Sequence, residues 1–330
     1  MFFDLEKNII MSKKKKFTTK NVNDIVEQSK NARSGTELMY EWITNRLPQH
    51  LNDEFQIIAS RVRDLDEDKK KILWLHDLHS DPEAQHLKEQ ESLERFDKLV
   101  FVGHWQQSMY QAYLGLPHDA CTVIMNGVVP IPEHKKPVKG EKIKLYYAST
   151  PHRGLELLVP AFDYLCKERD DIELHVFSSF KIYGWEGADE RFEKLYDYIR
   201  NHDNMVYHGT VSNEELRTQI QQMHIMALPS IYQESHSVAV TEAMSGMCHV
   251  VRPRYGGLLD SCLDFGSSYD WSANPDVHVH KFVNCLRSAI NDYWSERTQK
   301  RLLMQRDHFH EFYNIDDRAV EWINMMEGLR

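Results

Sequence analysis

The chain has 330 residues, with 40 Lys+Arg against 50 Asp+Glu and a formal net charge of −10. That length accommodates roughly two domains, each able to bury its own core, and the negative balance argues against nucleic acid as a partner. The five cysteines, Cys121, Cys166, Cys248, Cys262 and Cys285, form no C-x-x-C pair, which excludes a disulfide scaffold or zinc ribbon and fits a reducing, cytoplasmic compartment. No apolar run reaches membrane-spanning length, and the first ten residues lack the apolar centre of a secretory signal.

In chain order, residues 1–30 are a segment of uncertain assignment, with Asp24–Val26 a candidate short strand. The run Lys13–Lys16 reads as a solvated tail; four charges alone hold an anionic membrane weakly, so at most a weak peripheral membrane contact is expected of it. From 31 to 132, strands are expected at Phe55–Ala59, Ile72–His76, Lys98–Val102 and Thr122–Met125, with helices at Thr36–Asn45, Glu83–Arg95 and Gln106–Tyr113. Residues 133–142 (EHKKPVKGEK) combine Pro, Gly and lysines and read as an interdomain linker.

From 143 to 313 the rhythm is clearer. Ile143, Leu145 and Tyr147 alternate as a strand; Leu155, Leu158, Phe162 and Leu165 keep helical spacing, with Pro160 expected to kink that helix or shift its start. Ile172–Val176, Met205–Tyr207, Ile225–Leu228 and His249–Arg252 read as further strands, and Arg191–Arg200 and Val238–Ser245 as helices. Ser212 and Glu215 form a capping box ahead of Leu216, Ile220 and Met223. Ile315, Val320, Ile323 and Met326 give the last segment, 314–330, an apolar helical face. Strands alternating with helices imply βαβ units, so the fold class is α/β: two Rossmann-like domains whose parallel sheets face a central cleft. Ligands bind such sheets at the carboxyl ends of the strands.

The richest segment is PSIYQESHSVAVTEAMSG, 229–246. A strand ends near Leu228 and a helix begins near Ser237, so the backbone N–H groups of Ser235, His236 and Ser237 lie at a helix N-terminus, which suits an anion such as a pyrophosphate. Glu234 and Glu242 are separated by seven residues; on one helix that is a rise of about 12 Å. With Glu234 on the preceding turn, both can border one elongated ligand, each carboxylate gripping sugar or ribose hydroxyls. Two surface glutamates flanking a packed helix are the plain alternative.

This segment resembles the E-x7-E signature of retaining nucleotide-sugar glycosyltransferases of the GT-B fold, the large family 4 group. IKLYYASTPHRGLELLVPAF (143–162), VFSSFKIYG (176–184), VYHGTVSNEEL (206–216), RPRYGGLLD (252–260) and FDKLVFVGHWQQSMYQAYLGLPHDACTVIMNGV (96–128) fall where that family has its corresponding stretches. The resemblance implies that Glu242 holds the donor ribose, that Glu234 contacts donor-sugar hydroxyls, and that the N–H groups of Ser235, His236 and Ser237 face the sugar and diphosphate. It implies that Arg153 neutralises the leaving diphosphate and that His76 lies near the sugar ring. Tyr183, with Trp185, falls near the base site, and Gly35 and Thr36 belong to the loop approaching the acceptor. It also implies a last helix that crosses back onto the N-terminal domain. No cofactor and no metal are then expected beyond a nucleotide-diphosphate sugar, UDP- or GDP-linked, as co-substrate, with a glycan or other hydroxyl-bearing acceptor.

Two features depart from the family. A second basic residue, usual a few positions before the phosphate-binding cation, is missing from Tyr147-Ala148-Ser149-Thr150, and a double glycine is here Ser34-Gly35. Rival readings are a GT-B nucleotide-sugar 2-epimerase, a degenerate sugar-binding protein without turnover, and a metal hydrolase built on His76, Asp77, His79 and Asp81 with His278/His280 or His308/His310. The last is disfavoured because no second cluster has metal-ligand spacing. Asp64-Leu65-Asp66 reads as a solvated turn. Trp105, Tyr110 and Tyr113 are core residues on helical spacing or, alternatively, an acceptor sugar platform.

Overall fold

The computed structural model describes residues 34–330. The expectations for residues 1–30, including the Asp24–Val26 strand and the Lys13–Lys16 tail, lie outside the described residues. The described part opens with helix α1 (Gly35–Thr44), where the Ser34 N–H donates to the Glu37 carboxylate at 2.8 Å as one arm of a capping box. Helix α2 (Gln49–Glu54) leads into β1 (Phe55–Ala59), then β2 (Lys70–Leu75), helix α3 (Gln90–Leu93), β3 (Lys98–Phe101), helix α4 (His104–Leu114) and β4 (Cys121–Val123). The four strands form a parallel sheet in the order β1-β2-β3-β4.

One expectation fails in this half. Glu83–Arg95 is not a continuous helix but a 3-10 turn, Pro82–Lys88, followed by the single turn of α3. Asp81 accepts from the Glu83 N–H and Pro82 fixes the first position, while Glu89 is extended and breaks the run. The buried Ala84 and Leu87 are three residues apart, the period of a 3-10 helix rather than an α-helix.

After the linker come β5 (Ile143–Ala148), α5 (Leu155–Cys166), β6 (Ile172–Phe177), α6 (Glu193–Arg200), β7 (Met205–Tyr207), α7 (Asn213–Ile220) and β8 (Ile225–Ala227). They are followed by α8 (Val238–Ser245), β9 (His249–Arg254), α9 (Leu258–Cys262), β10 (Ser267–Asp270), α10 (Pro275–Asp292), α11 (Glu296–Phe312) and α12 (Ile315–Glu327). The second sheet is parallel throughout, in the order β10-β9-β8-β5-β6-β7. Its inner strand β8 is buried at every residue, as expected of a parallel strand covered on both faces. Pro160 sits inside α5 without ending it; its ring is exposed, so the helix loses one backbone bond on the solvent side. Pro253 is tolerated in β9 because β8 pairs only as far as Val251, and beyond that point β9 has a partner on one side alone.

Helix α12 leaves the second sheet and packs on α1 and α2. Ile315, Ala319, Trp322 and Met326 join Met39, Ile43, Leu51 and Trp74 in one buried cluster. The Trp74 and Trp322 rings meet edge to face with centroids 4.8 Å apart. Val128, at the exit from the first sheet, donates to the Tyr313 carbonyl (2.7 Å) and accepts from the Ile315 N–H (3.0 Å), so chain entry and return are stitched together. Val238, the first residue of α8, belongs to the same cluster, which ties the second half to the first. No helix among the described residues is long and apolar enough to cross a membrane.

Candidate active site

The carboxyl ends of β2, β5, β6 and β8 converge between the two halves. Gly154 makes the closest approach possible: its φ is 138°, and a Cβ there would lie 2.4 Å from the Pro229 carbonyl oxygen. The turn after β5 therefore nests against the loop after β8, and the Ile231 N–H donates to the Arg153 carbonyl at 3.1 Å. This packing sets Arg153 beside Glu234. Arg153 Nη1 donates to both carboxylate oxygens, at 2.9 and 2.8 Å, and the guanidinium lies 4.5 Å from the Tyr232 ring centre. Glu234 is only 5% exposed. Burial pushes its carboxyl up against the opposing pull of Arg153. Burial also pulls the Arg153 guanidinium down, but Glu234 and the phenols of Tyr183, Tyr232 and Tyr147 outweigh that and hold it above its ordinary value. The guanidinium stays charged, and with both Glu234 oxygens within 2.9 Å of Nη1 the two form an ion pair that is buried on the Glu234 side. Arg153, expected to neutralise the leaving diphosphate, is engaged with Glu234 through one nitrogen, while its Nε is buried without a partner.

Glu242 sits on α8 and is 1% exposed. Asn213 Nδ2 donates to its Oε1 at 2.8 Å and Arg217 Nη1 lies 3.5 Å from the same oxygen. Burial pushes the Glu242 carboxyl up; Asn213 and Arg217 pull it back. Arg217 also donates to the carbonyls of Val129 (2.7 Å) and Pro130 (3.2 Å), which fixes it against the linker. Sequence reasoning missed Asn213 and Arg217. The signal was their four-residue spacing directly after the Ser212 cap, which puts both on one face of α7.

At the turn 235–237 one of the three N–H groups expected to face the sugar and diphosphate has a partner within the protein. The Ser237 N–H donates to Ser261 Oγ at 2.9 Å and so is already used, because α9 packs against the start of α8. Gly257 permits this: a Cβ there would collide with the Ser235 carbonyl oxygen. Ser235 Oγ crosses the cleft and donates to the His76 carbonyl at 2.6 Å. His76, just beyond the end of β2, donates its N–H to Ser60 Oγ at 2.8 Å; Ser60 holds the left-handed conformation with φ 61°. The imidazoles of His76 and His236 are both neutral. Burial, and for His76 also the proximity of His236, pulls each down to about 3. A second contact closes the halves: Asp260 accepts from the Trp105 N–H at 2.8 Å and so caps α4 from the opposite side of the cleft.

Tyr183 lies in a 3-10 turn after β6, half-buried, with its ring 4.9 Å from Trp185 and close enough to Arg153 to favour its charge. Gly35 touches the start of α8, since a Cβ there would stand 3.2 Å from Val238 Cγ2. Thr36 lines an open cleft of 390 Å³ beside β1. The aromatic trio separates: Tyr110 is fully buried, whereas Tyr113 is exposed and stacks on His79 at 4.6 Å. The histidines weighed as metal ligands also separate. His278 bonds to the Tyr269 hydroxyl, His280 to Asn284 and His310 to Ser245, and among the described residues no three His, Cys, Asp or Glu side chains converge on one point.

Buried polar atoms without a partner gather around this cleft: His76 Nε2, Thr150 Oγ1, His152 Nδ1, Arg153 Nε, Ser178 Oγ and both ring nitrogens of His236. Interiors rarely leave such groups unsatisfied. Together with two buried carboxylates and a guanidinium, they can serve a polar, hydroxyl-rich anion.

The family model described as "Glycosyl transferases group 1" matches residues 131–300. No curated protein was found to match the chain in sequence. A glycosyltransferase from Rickettsia africae ESF-5 superimposes with a TM-score of 0.65 at 13% identity, covering 94% of this chain and 86% of that one. Anabaena HepE, solved with UDP and glucose, gives 0.60 at 14% identity, covering 79% and 72%. Staphylococcus aureus TarM, solved with UDP, Fondaparinux and alpha-GlcNAc-glycerol, gives 0.56 at 16% identity, covering 79% and 51%. At these identities the likeness is one of fold.

Proposed function

Because the chain belongs to the group 1 glycosyl transferases and its two parallel sheets have the GT-B fold, we propose that it is a retaining glycosyltransferase using a nucleoside-diphosphate sugar. UDP is the favoured nucleotide, since HepE and TarM were both solved with it; GDP is the next choice. The observation that carries the reading is the collection of orphaned polar atoms around the Arg153–Glu234 pair, facing the strand ends where such a donor would lie.

In this reading the donor exchanges partners with the site. Its diphosphate takes the Arg153 guanidinium and the N–H groups of Ser235 and His236, while a sugar hydroxyl donates to the released Glu234. Glu242, held at Oε1 by Asn213 and Arg217, offers Oε2 to the ribose diol. His76 borders the sugar ring, Tyr183 the base, and Gly35 and Thr36 the acceptor's path. The bond from the anomeric carbon to the phosphate oxygen breaks, and the donors around the diphosphate stabilise the charge that develops there. The acceptor oxygen bonds the same face of the carbon, and its proton passes to the leaving phosphate. No protein nucleophile is needed, and a metal is not required to carry the charge. All five cysteines are free thiols, which suits action in the cytoplasm.

The test is thermal unfolding with UDP, GDP and ADP, followed by turnover of the matching glucose donor. One nucleotide should raise the midpoint with the logarithm of its concentration, and its sugar conjugate should be hydrolysed slowly even without acceptor. Indifference to all three nucleotides contradicts the reading.

A further inference from the structure

Resting on that donor reading, we propose that Asp77 and Tyr232, one from each half, form the acceptor subsite, and that the acceptor is a saccharide. Asp77 follows His76 after β2. Its backbone is held in place by two donors to its carbonyl, Gln106 Nε2 at 2.8 Å and the Tyr110 hydroxyl at 3.2 Å, both from buried residues of α4. Its side chain is 31% exposed, and its nearest cation, Arg61, stands back at 3.9 Å. The backbone is thus fixed, while the carboxylate has the Arg61 guanidinium and the Ser60 hydroxyl beside it and stays partly open to solvent. Burial and the neighbouring Asp81 push it up to about 6, against Arg61 and Ser60. Across the cleft, Ser235 Oγ donates to the carbonyl of His76, the residue before Asp77, at 2.6 Å, which brings the loop that carries Tyr232 to the same strand end; the Asp77 charge is among those that push the Tyr232 phenol up, after burial and Glu234. Its ring covers Arg153, the residue paired with Glu234, and remains 37% exposed.

A carboxylate that can accept from two hydroxyls, facing an aromatic ring that offers an apolar face and a polar tip, fits a pyranose better than a lipid chain or an anion. The adjoining 390 Å³ cleft supports the same class. Arg61 lines it while reaching towards Asp77, and its walls carry two acids, Glu37 and Asp64, against two bases, Arg61 and Arg63, so no strong charge is selected. Its volume lies in the ordinary range for small-ligand pockets.

The experiment uses the full chain saturated with UDP and four probes: the methyl glycosides of glucose, galactose, mannose and N-acetylglucosamine, followed by saturation-transfer NMR. At least one glycoside should bind the wild type. Asp77→Asn and Tyr232→Ala should each weaken that glycoside at least about tenfold more than they weaken UDP, the loss expected for a hydrogen bond to a charged group. Far-UV dichroism checks that the variants are folded, and Asp77→Glu should retain more binding than Asp77→Asn. Glycoside binding insensitive to both substitutions, or no binding of any probe to a chain that does bind UDP, overturns the proposal. A chain that does not bind UDP fails at the donor reading, and the subsite falls with it.

Discussion

Arg153 and Glu234 lie 81 positions apart, yet the site is organised around their contact. Removing one partner of a buried pair strands the other charge, at a cost of about 3–5 kcal/mol. Arg153→Ala should therefore lower stability in urea by roughly 3 kcal/mol, the lower end of that range, since the Arg153 side chain is 23% exposed. Arg153→Met with Glu234→Leu should recover most of the loss; a single variant as stable as the wild type would show the pair contributes nothing. The residue types of this site were legible in the sequence, because a helix N-terminus after a strand and two spaced glutamates constrain the chemistry. Their pairing was not. It depends on the nesting of Gly154 against Pro229, a close approach between segments that no local pattern links, and for the same reason the use of the Ser237 N–H by Ser261 was hidden.

At the scale of elements, α12 is the clearest case of stability supplied from a distance. Trp322 is fully buried against Trp74, so Trp322→Ala should cost about 3–5 kcal/mol. Val320, on the same helix but 52% exposed, should tolerate Ala within about 0.5 kcal/mol. Chemical denaturation of the two variants checks the contrast, and equal losses would contradict the packing described. Elements with a strong period, such as α5 and the inner strands β5 and β8, were readable because both their faces or one stripe must be apolar. Strand β10 was not: it is an edge strand in which only Tyr269 is buried. Nor was the 3-10 turn at Pro82–Lys88, since a period of three cannot be told from 3.6 over two turns.

Across the whole molecule, the two halves are joined by contacts between residues as far apart as His76 and Ser235 or Trp105 and Asp260. Several histidines are held neutral by desolvation, His224 and His236 buried and His76, His152, His208 and His249 half-buried. His76, His152 and His236 are pulled down to about 3, and His208, His224 and His249 to about 4, chiefly by desolvation. Unfolded, each binds a proton below about 6.5. Between that value and the folded one the unfolded chain carries more protons, so stability falls as pH falls, by up to roughly 1.4 kcal/mol per pH unit for each such group. Asp77, pushed up to about 6, and Glu234 and Glu242, also pushed up by burial, oppose this trend but are outnumbered by the six histidines. The unfolding midpoint should drop from pH 7 to pH 5, and His236→Gln should flatten the slope; a midpoint constant over that range would contradict the neutral state of these rings. The two-sheet plan was legible from alternating strands and helices. Which cleft residues touch was not, because closure is decided by tertiary packing alone.

The most direct measurement is a crystal structure of the chain with UDP bound. The account predicts the diphosphate at the N–H groups of Ser235 and His236 with Arg153 turned from Glu234 towards it, and the ribose on Glu242. Electron density for UDP anywhere else, or UDP bound with the Arg153–Glu234 pair intact and Glu242 untouched, would contradict it.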